Sequence, residues 1–388
     1  MRRAAIVSPM RTAIGAFGGS LQKVATEDLG AAVIKAVLGK TGLDPELIED
    51  VVFAQSFSNG ETPCTGRYLA LNAGLPLQSG GMQLDRRCGS GLQAVISAAM
   101  MVQTGAADVV LAGGIESMSN VEYYTTSMRW GSKAGSVKFH DRLERGRERA
   151  QPEHRFGFIS GMPETAETLA REYGISREES DVYALRSHQR AAAAWESGKF
   201  TEEVVPVIIP QRKGDPIVFD RDEGIRGNTT LEALSQLRPL IKGGTVTPGN
   251  CCQQNDAAAA CLIVAEDKLE ELGLEPMAYL HSWAVAGCDP ARMGIGPVPA
   301  IDKLLRRTGL SLTDMGLVEI NEAFACQVLA VLKGWTGMIR TSSTSTVPAF
   351  HSAIRGGPPG VRIMTSLLQK MSRRQVRYGL ETCASAAG

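Results

Sequence analysis

Residues 82–114 read MQLDRRCGSGLQAVISAAMMVQTGAADVVLAGG, and the order of patterns inside them sets the class of fold. A short strand, MQLD, runs into Cys88-Gly89-Ser90-Gly91; a helix of small residues follows over about 92–103, and then comes the apolar strand DVVLAGG. The same grammar appears upstream: AAIVSP reads as a buried strand, 28–38 as an amphipathic helix and VVFAQ, at 51–55, as a strand. It resumes after Gly249-Asn250 with DAAAACLIVAEDKLEELG, AYLHSWAVAG, a helix near 301–308 and the strand LVEI before Asn321. Residues 119–244 break the alternation. They are charged, Arg-rich and carry polar helices such as SREESDVYALRSHQRAAAAWESG, so they read as an insertion into an α/β fold.

Composition narrows the function classes. At 44% hydrophobic and 21% charged residues, the 388-residue chain has ample apolar surface for a packed core. Forty-one basic residues balance forty-one acidic ones, so no global field recruits nucleic acid or an anionic membrane. Aromatic residues are only 5%, which gives little support to base-stacking platforms. No apolar run has the length of a membrane span and the N-terminus lacks a signal-peptide pattern, so the expectation is a cytoplasmic protein. Eight cysteines without CxxC spacing, two of them adjacent at Cys251 and Cys252, suit reduced thiols rather than a disulfide frame or a metal site.

Three stretches carry chemistry. Cys88, in LDRRCGSGLQAV, sits where a strand meets the first turn of a helix. There, unpaired amides, the helix dipole, Arg86 and Arg87 favour a thiolate, while Gly89 and Gly91 leave room for a substrate. A small buried Cys packing a strand–helix junction is the bland alternative. In VEINEAFACQVLA a strand ends at Asn321-Glu322 and a helix begins with Ala323-Phe324-Ala325; the Asn amide can donate to a developing oxyanion, directly or through a water, or simply cap the helix. GTVTPGNCCQQNDAAAA reads as a Gly-rich turn followed by an Asn–Asp-capped helix, suited to holding a ligand's amides.

Taken together, DRRCGSGLQAV, AGGIESMSN, SGMPETAETLA, LRPLI, GTVTPGN, MGIGPVPA and VEINEAFACQ stand in the order and approximate spacing of the thiolases, and the resemblance runs from Met1 to about Gly337. It implies the thiolase fold: two similar α/β halves, each with a mixed five-stranded sheet, stacked into a five-layer αβαβα core with an inserted loop domain that grips CoA. The implied partition is 1–118 for the first part of the N-terminal half, 119–244 for the insertion, 245–270 for the return and 271–388 for the C-terminal half. By the same resemblance Cys88 takes up the acyl group, Asn321 helps build an oxyanion hole through a water, and Met162, Met293 and Phe324 line the acyl pocket. Cys252 falls where many relatives have a Ser contacting the pantetheine of CoA. The resemblance further implies no metal or redox cofactor, a dimer or tetramer, and acetyl-CoA, acetoacetyl-CoA and CoA as partners. The Arg-rich insertion, for instance Arg142, Arg145, Arg147 and Arg149, is available for the CoA phosphates or forms a solvated surface.

Two family motifs are missing. Thiolases use a histidine in Gly-His-Pro and a second cysteine in CxGG; here 338–360 reads MIRTSSTSTVPAFHSAIRGGPPG and the chain ends CASAAG from Cys383. The possible codons of residues 344–360, read from each codon's third base, permit V-(N or H)-G-S-G-I-S-L-G-H-P-x-G-A-T-G, with the histidine codon spanning Ala353 and Ile354. The same phase over 382–388 permits M-C-I-G-G-G. The hypothesis is a pair of compensating frameshifts around 338–360 and another shift after Thr382, in a parent with both motifs, a longer tail and greater stability. Resequencing the gene tests it. The competing account is a divergent loop in which His351 serves as base and Cys383 as acid, although TSSTSTVPAFHS lacks the glycine turn or helix start that would orient an imidazole.

The implied reaction is the reversible Claisen condensation of two acetyl-CoA to acetoacetyl-CoA and CoA, or thiolysis of a short 3-oxoacyl-CoA. A non-catalytic acyl-CoA-binding or lipid-transfer homologue is the main alternative, since it would lack the His and the second Cys. A decarboxylating or CoA-condensing relative and a cysteine hydrolase are more distant; none of the five histidines, at 140, 154, 188, 281 and 351, lies in a hydrolase motif. Chain-length preference and cellular direction, towards polyhydroxybutyrate or through β-oxidation, are not written in the residues.

Overall fold

The computed structural model describes residues 2–339, 349–350 and 359–386, with side chains placed for 2–335 and 360–386. Its main sheet runs in the order β12-β1-β11-β5-β3-β4, built from Ala4–Thr12 (β1), Asp50–Ala54 (β3), Met82–Leu84 (β4), Val109–Ser117 (β5), Asn255–Ala265 (β11) and Ala278–Tyr279 (β12). Gly15–Ala16 (β2) adds to β11, and Val204–Val205 (β8), from inside the insertion, adds to β1. β3 lies parallel to β4 and β5, whereas β11 is antiparallel to both β1 and β5.

Alternation along the strands decides which helices cover which face. Val51, Phe53 and Leu111 pack with Leu29, Val33 and Val37 of α1 (Thr26–Thr41) and Leu69 of α2 (Thr65–Ala73). Val52, Ala54, Val110 and Ala112 point the other way, onto α3 (Ser90–Thr104) and α12 (Pro359–Arg374). The second sheet lies on the far side of α12: Leu317–Ile320 (β13) at its centre, flanked in parallel by Ala349–Phe350 (β14) and Gly379–Thr382 (β15). α10 (Pro297–Thr308) and α11 (Ala325–Ile339) close the stack through Ile301, Val328, Val331 and Trp335. Helix, sheet, helix, sheet, helix make five layers, as the fold class requires. Among the described residues this second sheet has three strands rather than five.

The alanine run differs from its expected state. Local propensity favours a helix after Asn255-Asp256, yet NDAAAACLIVA is β11, buried at every residue between β1 and β5. Tertiary pairing on both edges overrides the helix propensity of Ala. AYLHSWAVAG contributes only Ala278–Tyr279 to a ladder; the remainder borders a groove along β15 that His281, Trp283, Leu304 and Leu380 help to line.

In the insertion, Tyr123–Tyr124 (β6) and His140–Asp141 (β7) form one hairpin, and Val207–Ile209 (β9) with Ile217–Phe219 (β10) another. Its helices are α4 (Arg142–Glu148), α5 (Glu153–Phe156), α6 (Met162–Glu172), α7 (Arg177–Glu196) and α8 (Leu231–Ser235); the short α9 (Leu269–Leu272) follows β11. The expected polar helix is α7. Ser176 caps it, accepting from the Glu179 amide at 3.0 Å while the Glu179 carboxylate accepts from the Ser176 amide at 2.7 Å.

α3 and α12 meet backbone to backbone at their N-termini. A methyl group on Gly91 would come within 2.9 Å of the Val361 nitrogen, and one on Gly360 would overlap the backbone of Leu92 and Gly91. Gly360→Ala is therefore expected to force the two helix starts apart and to cost about 1–3 kcal/mol. Thermal unfolding measures it, and an unchanged midpoint would contradict this close approach.

Candidate active site

β4 hands the chain to α3 through a turn with one strained residue. Arg87, immediately before Cys88, has φ of +47°, in the left-handed region that non-glycine residues seldom occupy. Asp85 Oδ1 accepts from the Arg87 amide at 2.7 Å and Ser90 Oγ accepts from the Arg86 amide at 2.7 Å, so the turn is pinned from both sides. Ser385 Oγ, from beyond β15, donates to the Arg86 carbonyl at 2.6 Å.

Cys88 is half-buried at the start of α3. Its thiol departs from the expectation of a ready thiolate. Burial foremost, then the neighbouring Cys252 and Glu116, push it up to about 12, against the opposing pull of a backbone amide and Arg87. Loss of water outweighs that pull, while the Arg87 guanidinium donates to the Ser56 carbonyl at 2.8 Å.

The second cysteine lies against the first. Cys383 Sγ donates to the Cys88 carbonyl at 3.3 Å across 295 positions of sequence. Burial raises this thiol well above its ordinary range, with Cys88 and Glu381 adding to the effect. β13 delivers Asn321 beside it: the Asn321 amide donates to the Thr382 carbonyl at 3.0 Å, so this residue extends the β13–β15 pairing rather than capping α11, which starts at Ala325. Glu322 is buried and accepts from Tyr183 Oη and Ser187 Oγ of α7, each at 2.6 Å. Those two partners had no signal in the sequence, because α7 reads only as a polar helix.

GTVTPGN forms the third wall. Asn250 ties the loop with its side chain, accepting from the Thr247 amide at 2.8 Å and donating to Asp181 Oδ1 at 2.8 Å. The Cys252 amide then donates to the Ala323 carbonyl at 2.7 Å, and the Ala325 amide to the Asn250 carbonyl at 2.9 Å. Phe324 is buried in one apolar cluster with Ala166 and Leu169, against which Met162, Cys251 and Cys252 pack. Met293 is buried too, on the segment Pro290–Ile295.

The site thus gathers Cys88, Cys252, Asn321, Phe324 and Cys383. His351 falls outside the described residues. Of the other histidines, His140 packs at a tilt against Tyr124 with centroids 5.7 Å apart, His188 Nδ1 accepts from the Arg226 amide at 3.2 Å, His281 lies 5.9 Å from the Tyr378 ring and His154 is exposed. Of the arginines suggested for phosphate, Arg142 pairs with Glu122 at 2.6 Å and Arg145 with Glu148 at 3.6 Å. Among the described residues, no group of three or more His, Cys, Asp or Glu is arranged to hold a metal ion, and no helix is long and apolar enough to cross a membrane.

Known proteins share this fold over the length of the chain. The family model for the thiolase N-terminal domain matches residues 4–267, and that for the thiolase C-terminal domain matches 274–388. An acetyl-CoA acetyltransferase of Chromobacterium violaceum is 43% identical over 388 residues, covering 99% of this chain and 97% of the relative. The crystal structure of the Bacillus anthracis acetyl-CoA acetyltransferase superposes with a TM-score of 0.92 at 37% identity, covering 100% of this chain and 97% of that one. Human mitochondrial 3-ketoacyl-CoA thiolase in complex with CoA superposes with a TM-score of 0.89 at 36% identity, covering 100% and 96%. With both family domains matched and relatives aligned through the aberrant stretches as well, the chain belongs to the thiolase family.

Proposed function

We infer that the protein is an acyltransferase of the acetyl-CoA acetyltransferase type, exchanging acyl groups between CoA thioesters through an acyl-cysteine at Cys88. The observation that carries the reading is the packing of Cys383 against Cys88 at a helix start, in a chain 43% identical to an acetyl-CoA acetyltransferase. In the condensing direction, Cys88 Sγ bonds to the acyl carbon, the carbon–sulfur bond to CoA breaks, and CoA leaves with the proton that Cys88 gave up to a base. Cys383, once its own proton has passed to the base, takes as thiolate a proton from the α-carbon of a second acetyl-CoA, and that held proton returns to the Cys88 thiolate when the product leaves. The carbanion bonds to the acyl carbon, releases Cys88 and yields a 3-oxoacyl-CoA. Thiolysis runs the same bonds backwards. Every step is redox-neutral, so the chemistry calls for no redox cofactor, and thiolate attack with side-chain proton transfer proceeds without a metal; CoA is substrate and product.

The Asn321 side chain helps build the oxyanion hole through a water, and Met162, Met293 and Phe324 bound the acyl group, with Cys252 facing the pantetheine. The base is His351 in the chain as written, or the histidine of the shifted frame. Cytoplasmic location and a dimer or tetramer complete the reading; exposed Leu77, Tyr123, Trp130 and Phe139 support self-association. The test is thiolysis of acetoacetyl-CoA by CoA, followed as loss of enolate absorbance, with mass analysis of the Cys88 peptide after acetyl-CoA. An acetyl group on Cys88 is expected. Acetylation confined to other cysteines would overturn the assignment.

A further inference from the structure

Glu116 lies on β5, with its carboxylate buried below the nucleophile turn. Both oxygens face the loop that leaves β3: the Ser56 amide donates to Oε1, and the Phe57 amide lies 3.3 Å from each oxygen. Those amides have passed the end of the β3 ladder, so the carboxylate is what holds them.

The same loop grips Arg87 at both ends. Ser56 Oγ donates to the Arg87 carbonyl at 2.8 Å, while Arg87 Nη1 donates to the Ser56 carbonyl at 2.8 Å. The Arg87 guanidinium also sits 5.7 Å from the centre of the Phe57 ring. Arg87 carries the positive φ that turns the chain into α3, and Cys88 is the next residue. A left-handed Arg persists only where its surroundings hold it there. The carboxylate fixes the loop, the loop fixes Arg87, and Arg87 sets where Cys88 Sγ points.

We propose that Glu116 is a positioning residue for Cys88, acting through Ser56, Phe57 and Arg87 to hold the strained turn that presents the nucleophile at the start of α3. The proposal deepens the acyl-transfer reading and rests on it for the role of Cys88. It goes beyond simple charge proximity. As a nearby negative charge alone, Glu116 would only hinder thiolate formation, and removing the charge would make Cys88 more reactive. As a positioning group, its loss lets Arg87 relax and swings Cys88 off the first-turn amides, which makes Cys88 less reactive.

The two accounts therefore predict opposite signs. Glu116→Gln keeps the size but replaces one acceptor oxygen with an NH2 that faces a donor. Iodoacetamide alkylation, read peptide by peptide, compares Cys88 with exposed Cys64 as internal reference in the full chain. The expected result is a fall of at least about fivefold in the Cys88-to-Cys64 ratio. In acetoacetyl-CoA thiolysis, kcat falls about tenfold or more while KM stays within about twofold, because binding surfaces away from the turn are untouched. Ser56→Ala, which cuts only the hydroxyl to the Arg87 carbonyl, moves the alkylation ratio in the same direction and keeps the test open if Glu116→Gln does not fold. An alkylation ratio unchanged or raised in the folded variants overturns the proposal. Alkylation needs no CoA substrate, so a chain that alkylates as expected yet shows no acetyl transfer would count against the acyl-transfer reading and not against the positioning role.

Discussion

Cys88→Ser leaves a folded protein with no acyl-enzyme and thiolysis reduced by roughly 10⁴-fold or more, the scale seen when a covalent nucleophile is removed. The magnitude follows from what the thiol does at this position. A hydroxyl is a far weaker acid than a thiol, and burial beside Cys252 and Glu116 already pushes the Cys88 thiol up to about 12. A serine in the same desolvated place would have almost no anion available. Packing changes little, because the substitution removes volume at a half-buried turn, so the unfolding midpoint is expected within a few degrees of the parent. The readouts are acetyl incorporation by intact mass, thiolysis rate and thermal unfolding. Residual thiolysis within tenfold of the parent would move the covalent role to another residue, with Cys383 and Cys252 the neighbours to examine.

The second large effect concerns the proton path. With burial pushing its thiol up to about 12, Cys88 rests as the neutral thiol near pH 8, and a nearby imidazole is the side chain that changes this. In the sequence as written, residues 338–360 contain His351 without Gly-His-Pro, and the shifted frame supplies that motif together with MCIGGG at 382–388. Restoring GISLGHPxGATG and MCIGGG is expected to raise thiolysis by about 10²–10⁴-fold, the usual contribution of a positioned acid–base group. Alkylation of Cys88 near pH 7 to 8 should accelerate in parallel. In the chain as written, alkylation should instead keep climbing as pH rises towards about 12, since the thiol charges only there. Equal thiolysis by both proteins would mean that His351 and Cys383 transfer the protons, and would remove any functional need for the shifted frame.

Much of the site was legible because its signals are local. The run from strand MQL through Cys88 to a small-residue helix marks a candidate nucleophile turn, and α7 announces itself through the Ser176–Glu179 box. Glu116 stood in plain view within AGGIESMSN but showed nothing of its task. A buried carboxylate in a strand acquires meaning only from the amides that happen to face it, here 59 and 60 positions away.

By itself, then, the sequence determined the α/β alternation, the polar stretch that interrupts it, Cys88 and Cys383 as the candidate thiols and the absence of the two C-terminal motifs, because each is written in a contiguous run of residues. Tertiary structure decided the rest. It made NDAAAACLIVA a central strand, since pairing with β1 and β5 on both edges outweighs the helix preference of alanine. It brought Cys383 to the Cys88 carbonyl across 295 residues and joined Glu322 to Tyr183 and Ser187 of the insertion. It also reversed the expected ease of ionising Cys88, because desolvation is set by everything packed around a group, while a sequence pattern reports only the neighbours along the chain.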